Sequence, residues 1–65
     1  MSWKDLPQPR RTQLEATLTS RQLDVLILHL AGCSQRRIVT MLGISRTTVR
    51  DHLTTAIAKL EEPAA

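Results

Sequence analysis

Apolar residues recur at helical spacing along most of this chain. A predicted helix over residues 20–31 carries an i, i+3, i+4, i+7 series, namely Leu23, Leu26, Ile27 and Leu30. Valine and isoleucine are present, but they never alternate with polar residues as they do in a half-buried strand. The pattern predicts an all-α fold, a small bundle of three or four helices.

The helix over residues 20–31 has a second apolar face, formed by Val25 and Leu28. A helix that is apolar on two sides needs two partners. One partner is the pair of helices that follows it in the chain. The other is either the segment that carries Leu14 and Leu18 or a second copy of the protein.

Residues 34–53 have the pattern of two helices joined by a tight turn. Ser34 is placed to cap a helix over residues 35–42, and Ser45 to cap a last helix that ends near residue 60. Gly43 lies between them, where the turn requires positive φ. The apolar residues with the spacing for one shared core are Ile38, Leu42, Ile44, Val49 and Leu53. This pattern predicts a helix-turn-helix, whose second helix lies in the major groove of DNA.

Two regions are expected, an N-terminal arm with a short helix over residues 1–17 and a helix-turn-helix DNA-binding domain over residues 18–62. Pro7 and Pro9 favour an extended chain over residues 1–9. The spacing of later leucines predicts that the short helix follows this extended part.

Arg10 and Arg11 come directly after the extended part, in a segment whose Leu14 and Leu18 are four positions apart. Basic arms of this kind enter the minor groove of DNA. The alternative is a disordered tail without a function of its own.

Composition narrows the class of protein. Trp3 is the single aromatic residue, so the core must be built from aliphatic side chains. Nine Lys and Arg against six Asp and Glu give a net charge of +3, mostly from arginine, whose planar fork suits phosphate and guanine. Cys33 is the only cysteine, which excludes an internal disulfide and fits a reducing compartment. No apolar run has the length of a membrane span and no secretion signal is visible, so we expect a cytoplasmic protein without a membrane partner.

The outward face of the last helix carries the candidate base contacts. Val49 and its helical repeats are directed inward, so the residues directed outward are Arg46, Thr47, Arg50, Asp51 and Thr54. Arg50 is the best candidate for guanine, because its guanidinium matches the O6 and N7 acceptors. Asp51 is placed either to accept from the amino group of cytosine or to brace Arg50. The alternative for this face is an ordinary solvated helix surface.

A second set of polar residues is placed to contact phosphates: Ser34, Arg36, Arg37, Ser45, Thr48 and His52. The first helix of a helix-turn-helix crosses the DNA backbone, where its N-terminal amides and nearby arginines hold phosphate oxygens. Structural alternatives remain open, because the serines are also helix caps, the threonine can bond to the backbone, and the arginines can be solvated.

No set of residues for catalysis or metal binding is visible in the sequence. His29, Cys33 and His52 share no short ligand spacing. The chain has no nucleophile–base arrangement, Gly-rich phosphate loop or pair of carboxylates suited to acid–base chemistry. We expect no enzyme activity, no cofactor, no metal and no small-molecule substrate.

Several segments resemble, in order and spacing, the LuxR-type DNA-binding domain and, about equally, region four of bacterial sigma factors. They are LTSRQLDVL (18–26), GCSQRRI (32–38), LGIS (42–45), TVRDHL (48–53) and KL (59–60). The resemblance implies a four-helix domain that binds promoter or operator DNA. By this analogy Arg50, Asp51 and Thr54 match base-facing positions, and Thr48 matches a backbone-facing position.

Three features depart from the family pattern. Members usually have an acidic residue at the position of Arg37 and alanine at the position of Val39, where valine is expected to widen the helix spacing. The chain ends soon after Lys59 and Leu60, without the last, often dimer-forming helix of LuxR-type domains and without the promoter-melting region of sigma factors. We expect a free-standing small regulator or an excised domain, without a receiver or ligand domain.

The favoured interpretation is a small transcriptional regulator whose recognition helix, residues 46–60, binds double-stranded DNA. A second interpretation is an adaptor that docks on RNA polymerase or another regulator through the apolar face of Val25 and Leu28. A third is the DNA-binding module of a recombinase or transposase. A second copy of the chain is a further partner to be considered.

Overall fold

The computed structural model describes residues 2–62, which contain one 3-10 turn, four α-helices and no strand. The turn covers Trp3–Asp5. The helices are α1 (Gln8–Thr17), α2 (Ser20–Leu30), α3 (Gln35–Leu42) and α4 (Arg46–Glu61). The all-α prediction is confirmed, and the last three helices agree with their predicted bounds to within one residue.

The N-terminal segment is not the extended arm that its prolines indicated; Met1 lies outside the described residues. Trp3–Asp5 forms a 3-10 turn and α1 already begins at Gln8, with Pro7 at its N-cap and Pro9 in its first turn. The N–H groups of a first turn have no intrahelical partners, so a proline there loses no hydrogen bond, and its ring presets a helical φ. The two prolines therefore begin the helix instead of preventing it.

A capping box fixes the start of α2. The Thr19 hydroxyl accepts a hydrogen bond from the Gln22 N–H at 3.2 Å, and the Gln22 side-chain oxygen accepts one from the Thr19 N–H at 3.1 Å. Each residue thus satisfies a backbone donor that the helix leaves unpaired. Beyond the other end, Gly32 adopts a φ of 94°, and the chain turns towards α3.

Two clusters of buried residues form the core, and α2 belongs to both. The first cluster consists of Leu14, Leu18, Leu26 and Ala56, and the second of Val25, Ile38, Val49 and Leu53. Val25 and Leu26 are adjacent in sequence and have no exposed surface. Trp3 and Leu6 pack against the first cluster, so the N-terminal segment is part of the same core.

The adaptor interpretation required the second apolar face of α2 to be open to a partner protein. In the structure this face is not open. Val25 is fully buried, and Leu28 packs at the edge of the second cluster. Accessible apolar surface remains instead at half-buried Ile27 and at Met41, which is 53% exposed. For the other partner of α2, the structure shows the first of the two alternatives. Leu14 of α1 and Leu18, directly after α1, lie in the same cluster as Leu26.

The turn between α3 and α4 is the predicted one. Gly43 lies in the left-handed region, with φ 65° and ψ 34°, and its N–H donates to the Val39 carbonyl at 2.9 Å. Ile44 and Val39 are half-buried and pack against the second cluster. The Ser45 hydroxyl accepts from the Thr48 N–H at 3.1 Å and so caps α4.

Arg10 connects α1 to the C-terminal end of α4. Its Nη2 donates to the carbonyl of Lys59 at 3.3 Å and also to the carbonyls of Leu60 and Glu62. The last carbonyls of a helix lack intrahelical partners and carry partial negative charge, so a guanidinium there stabilises the helix end. Neither alternative for this segment describes Arg10, because its guanidinium is held within the fold and not free for the minor groove, and the segment is a packed helix and not a disordered tail.

We predict that Gly43→Val destabilises the protein by about 1–3 kcal/mol. A Cβ at Gly43 would meet no atom within 4 Å, so the loss comes from the left-handed backbone, which β-branched residues tolerate poorly. Gly43→Asn is the matched control and should lose less, since asparagine adopts this conformation more readily. Thermal unfolding followed by circular dichroism measures both. Equal melting temperatures for Gly43→Val and the wild type would contradict this account of the turn.

We also predict that Arg10→Ala lowers the free energy of unfolding by about 1–2 kcal/mol, because the carbonyls at the end of α4 lose a charged donor. Arg21→Ala is the control. Arg21 is exposed and forms only a 3.8 Å ion pair with Asp24, so its removal should cost about 0.5 kcal/mol or less. Urea titration gives both values. A loss for Arg10→Ala no larger than that of the control would show that the contact does not hold α4.

Candidate nucleic-acid interface

The five candidate base contacts lie together on the exposed side of α4. The helix directs Val49, Leu53 and Ala56 into the core. The residues that remain exposed include all five predicted ones, Arg46, Thr47, Arg50, Asp51 and Thr54. They lie within the first nine of the sixteen residues of α4, directly after the turn, so the fold presents them as one surface.

The arginines of this surface are free to bind a ligand. Neither Arg46 nor Arg50 forms an ion pair or a side-chain hydrogen bond with any residue between 2 and 62. Asp51 forms no ion pair with Arg50, so the predicted brace between them does not exist in this structure. Both guanidinium groups therefore keep all their donors for an external acceptor.

Thr54 has a more limited role than its position indicates. Its hydroxyl donates to the Arg50 carbonyl at 2.9 Å, so the proton is already used within α4. The oxygen lone pairs and the methyl group remain accessible. Thr54 can accordingly accept from a base amino group or contact a thymine methyl group.

The candidate phosphate contacts are divided between the start of α3 and the start of α4. Ser34 caps α3 by accepting from the Arg37 N–H at 3.1 Å. Arg36 and Arg37 are exposed in the first turn of α3, and neither has an ion-pair partner among the described residues. This places two cations beside the positive end of a helix, which is the arrangement that binds phosphate.

The remaining candidates are Ser45, which is exposed, Thr48 and His52. The Ser45 and Thr48 hydroxyl oxygens are 2.7 Å apart, and Thr48 is half-buried, so both groups already contribute to the cap of α4. His52 is also half-buried. The structural alternative for the two hydroxyls is thus realised, although only one of the two hydroxyl protons is used between them, and the other can donate to a phosphate oxygen.

One residue of this surface was missed from the sequence. Gln35 is the first residue of α3 and is half-buried, and together with Arg46, Thr47 and Arg50 it lines a hollow of about 220 Å³. The helical repeat of α4 cannot reveal it, because it belongs to the other helix. Its position directly after the capping Ser34 is the only signal that the sequence offers.

A longer groove continues from this hollow along α4. Its volume is about 780 Å³, and its lining includes His29 and Gln35 on one side and residues of α4 from Arg50 to Glu62 on the other. The end near Arg50 is basic, whereas the end near Glu61 and Glu62 is acidic. Since phosphates repel carboxylates, the end of the groove near Glu61 and Glu62 is unfavourable to an anionic ligand.

Residues 2–62 hold no group of three or more His, Cys, Asp or Glu side chains that could bind a metal ion. None of the four helices is long and apolar enough to cross a membrane.

The domain is all-α, and a left-handed glycine turn joins two capped helices. The second of these helices exposes arginines that have no partner among the described residues. These features define a helix-turn-helix domain of the DNA-binding type. The sequence model of the family described as bacterial regulatory proteins, luxR family (GerE), matches residues 16–63. The chain belongs to this family, whose members are DNA-binding regulators and generally not enzymes. No curated protein and no solved structure gives a significant match to the chain.

Proposed function

We propose that this protein is a small cytoplasmic transcriptional regulator that binds double-stranded DNA at a preferred sequence, with the part of α4 from Arg46 to Thr54 in the major groove. The observation that carries the proposal concerns two arginines, Arg46 and Arg50, on the exposed side of the second helix of a LuxR-family helix-turn-helix. Neither arginine has an ion-pair partner among the described residues. In this geometry the second helix reads base edges and the first helix crosses the backbone.

Base reading is assigned to Arg46, Thr47, Arg50, Asp51 and Thr54. Arg50 is the principal contact, because its fork matches guanine and no group among residues 2–62 competes for its donors. Backbone contacts are assigned to Ser34, Arg36, Arg37, Ser45, Thr48 and His52. Among these, Arg36 and Arg37 supply charge, whereas the capping residues supply orientation.

Binding to random duplex DNA at increasing salt concentration tests the proposal against the adaptor interpretation. A protein that neutralises phosphates releases counterions, so its affinity should fall linearly with the logarithm of the salt concentration. An adaptor that only docks on RNA polymerase or on another regulator would bind no duplex at any salt concentration. That result would refute the proposed function.

Substitution of Arg50 and of Arg36 should separate base reading from phosphate contact. Arg50→Ala should cost about 1–3 kcal/mol on the preferred duplex and relax the choice of base at one position. Arg36→Ala should weaken preferred and random duplexes alike and reduce the salt slope by about one. Selection from random duplexes defines the preferred site, and titrations at several salt concentrations give the affinities.

Arg21→Ala is the charge-matched control for both variants, because Arg21 lies on α2, outside the candidate surface, and is paired with Asp24. This variant should keep the base preference of the wild type. Its affinity for the preferred site should fall only by the small effect of losing one distant charge. If Arg50→Ala weakens both kinds of duplex equally and keeps base preference, Arg50 is a phosphate contact. The reading face would then be rotated by roughly a third of a turn about α4.

A further inference from the structure

Gln35 is the point at which α3 joins the exposed surface of α4. It lines the small hollow together with Arg46, Thr47 and Arg50, and it lines the adjoining groove together with Arg50 and His29. Both cavities therefore share two residues, Gln35 and Arg50, which come from different helices of the helix-turn-helix.

Neither the fold nor the helix cap requires the Gln35 amide. Ser34 already satisfies the free backbone donor at the start of α3, and Ile38 supplies the fully buried side chain of this helix. The Gln35 side chain forms no hydrogen bond with another residue between 2 and 62. A half-buried amide thus keeps its two donors and its acceptor for an external partner.

The chemistry of the hollow fits the edges of two neighbouring base pairs. A glutamine amide pairs with the N6 donor and N7 acceptor of adenine, as arginine pairs with O6 and N7 of guanine. Gln35 and Arg50 both line this hollow of about 220 Å³, so their two side chains face the same space. The two flat side chains at its wall are therefore close enough to contact bases in the same or adjacent steps.

We propose that Gln35 is a specificity-determining residue, which binds the major-groove edge of an adenine within two base pairs of the base bound by Arg50. The inference rests on the proposed function, since it requires α4 in the major groove. It adds a reading contact from α3, the helix whose Arg36 and Arg37 are assigned to the DNA backbone. The preferred site then has one position determined by α3 and neighbouring positions determined by α4.

The experiment compares the sites that the wild type, Gln35→Ala and Gln35→Glu select from random duplexes. Gln35→Ala should relax one adenine position, with a loss of roughly 5- to 150-fold in discrimination there, the range of a bidentate contact. Gln35→Glu should change the preference at that position from adenine to cytosine, because a carboxylate accepts from the cytosine amino group. Both substitutions suit the first turn of a helix, so melting temperatures should stay near that of the wild type.

Thr40→Ala is the control on the same helix, since the Thr40 hydroxyl only bonds to the Arg36 carbonyl and should affect no base position. The Arg50→Ala background tests whether Gln35 acts directly. A direct contact keeps its adenine preference when Arg50 is absent, whereas a residue that merely positions Arg50 would lose it, and that loss would overturn the proposal.

Failure of this inference can be told apart from failure of the proposed function. If the wild type selects a site and both Gln35 variants select the same base preferences, the reading role of Gln35 is refuted and DNA binding remains intact. A wild-type protein that binds no duplex refutes the proposed function, and the role of Gln35 with it.

Discussion

Val25 and Leu26 are neighbours in α2, and both side chains are fully buried, but they lie in different clusters of the core. Adjacent positions of a helix are directed about 100° apart, so one helix can fill two cores only if other helices cover both sides. Each of these side chains contributes about 1.5–3 kcal/mol. That is a large share of the stability of a small domain, typically about 5–15 kcal/mol.

The candidate interface depends on this arrangement because α4 also belongs to both clusters. Ala56 packs in the first cluster, and Val49 with Leu53 packs in the second. The rotation of α4 about its axis is thereby set at two places, which directs Arg46 and Arg50 away from the core. The two ends of α4 are held differently, by the Ser45 cap at the basic end and by the Arg10 guanidinium at the acidic end.

The net charge of +3 understates the charge available at the candidate interface. Two basic residues outside this interface form ion pairs, Arg21 with Asp24 at 3.8 Å and Lys59 with Glu62 at 3.4 Å. The arginines of α3 and of the start of α4 have no such partners in residues 2–62. Four arginines without an acidic partner among the described residues are therefore available at the candidate interface, although the net charge of the whole chain is only +3.

The sequence by itself determined the helix-turn-helix. Its helices, the caps at Ser34 and Ser45 and the left-handed Gly43 follow from interactions between residues at most four positions apart, and such interactions are visible in a local pattern. Only the tertiary structure decided that Arg10 holds the end of α4, since the residues in contact are 49 or more positions apart. For the same reason it alone brought Gln35 and Arg50 to one hollow and decided which helices cover Val25. These contacts depend on how the helices pack, which no repeat within one helix can specify.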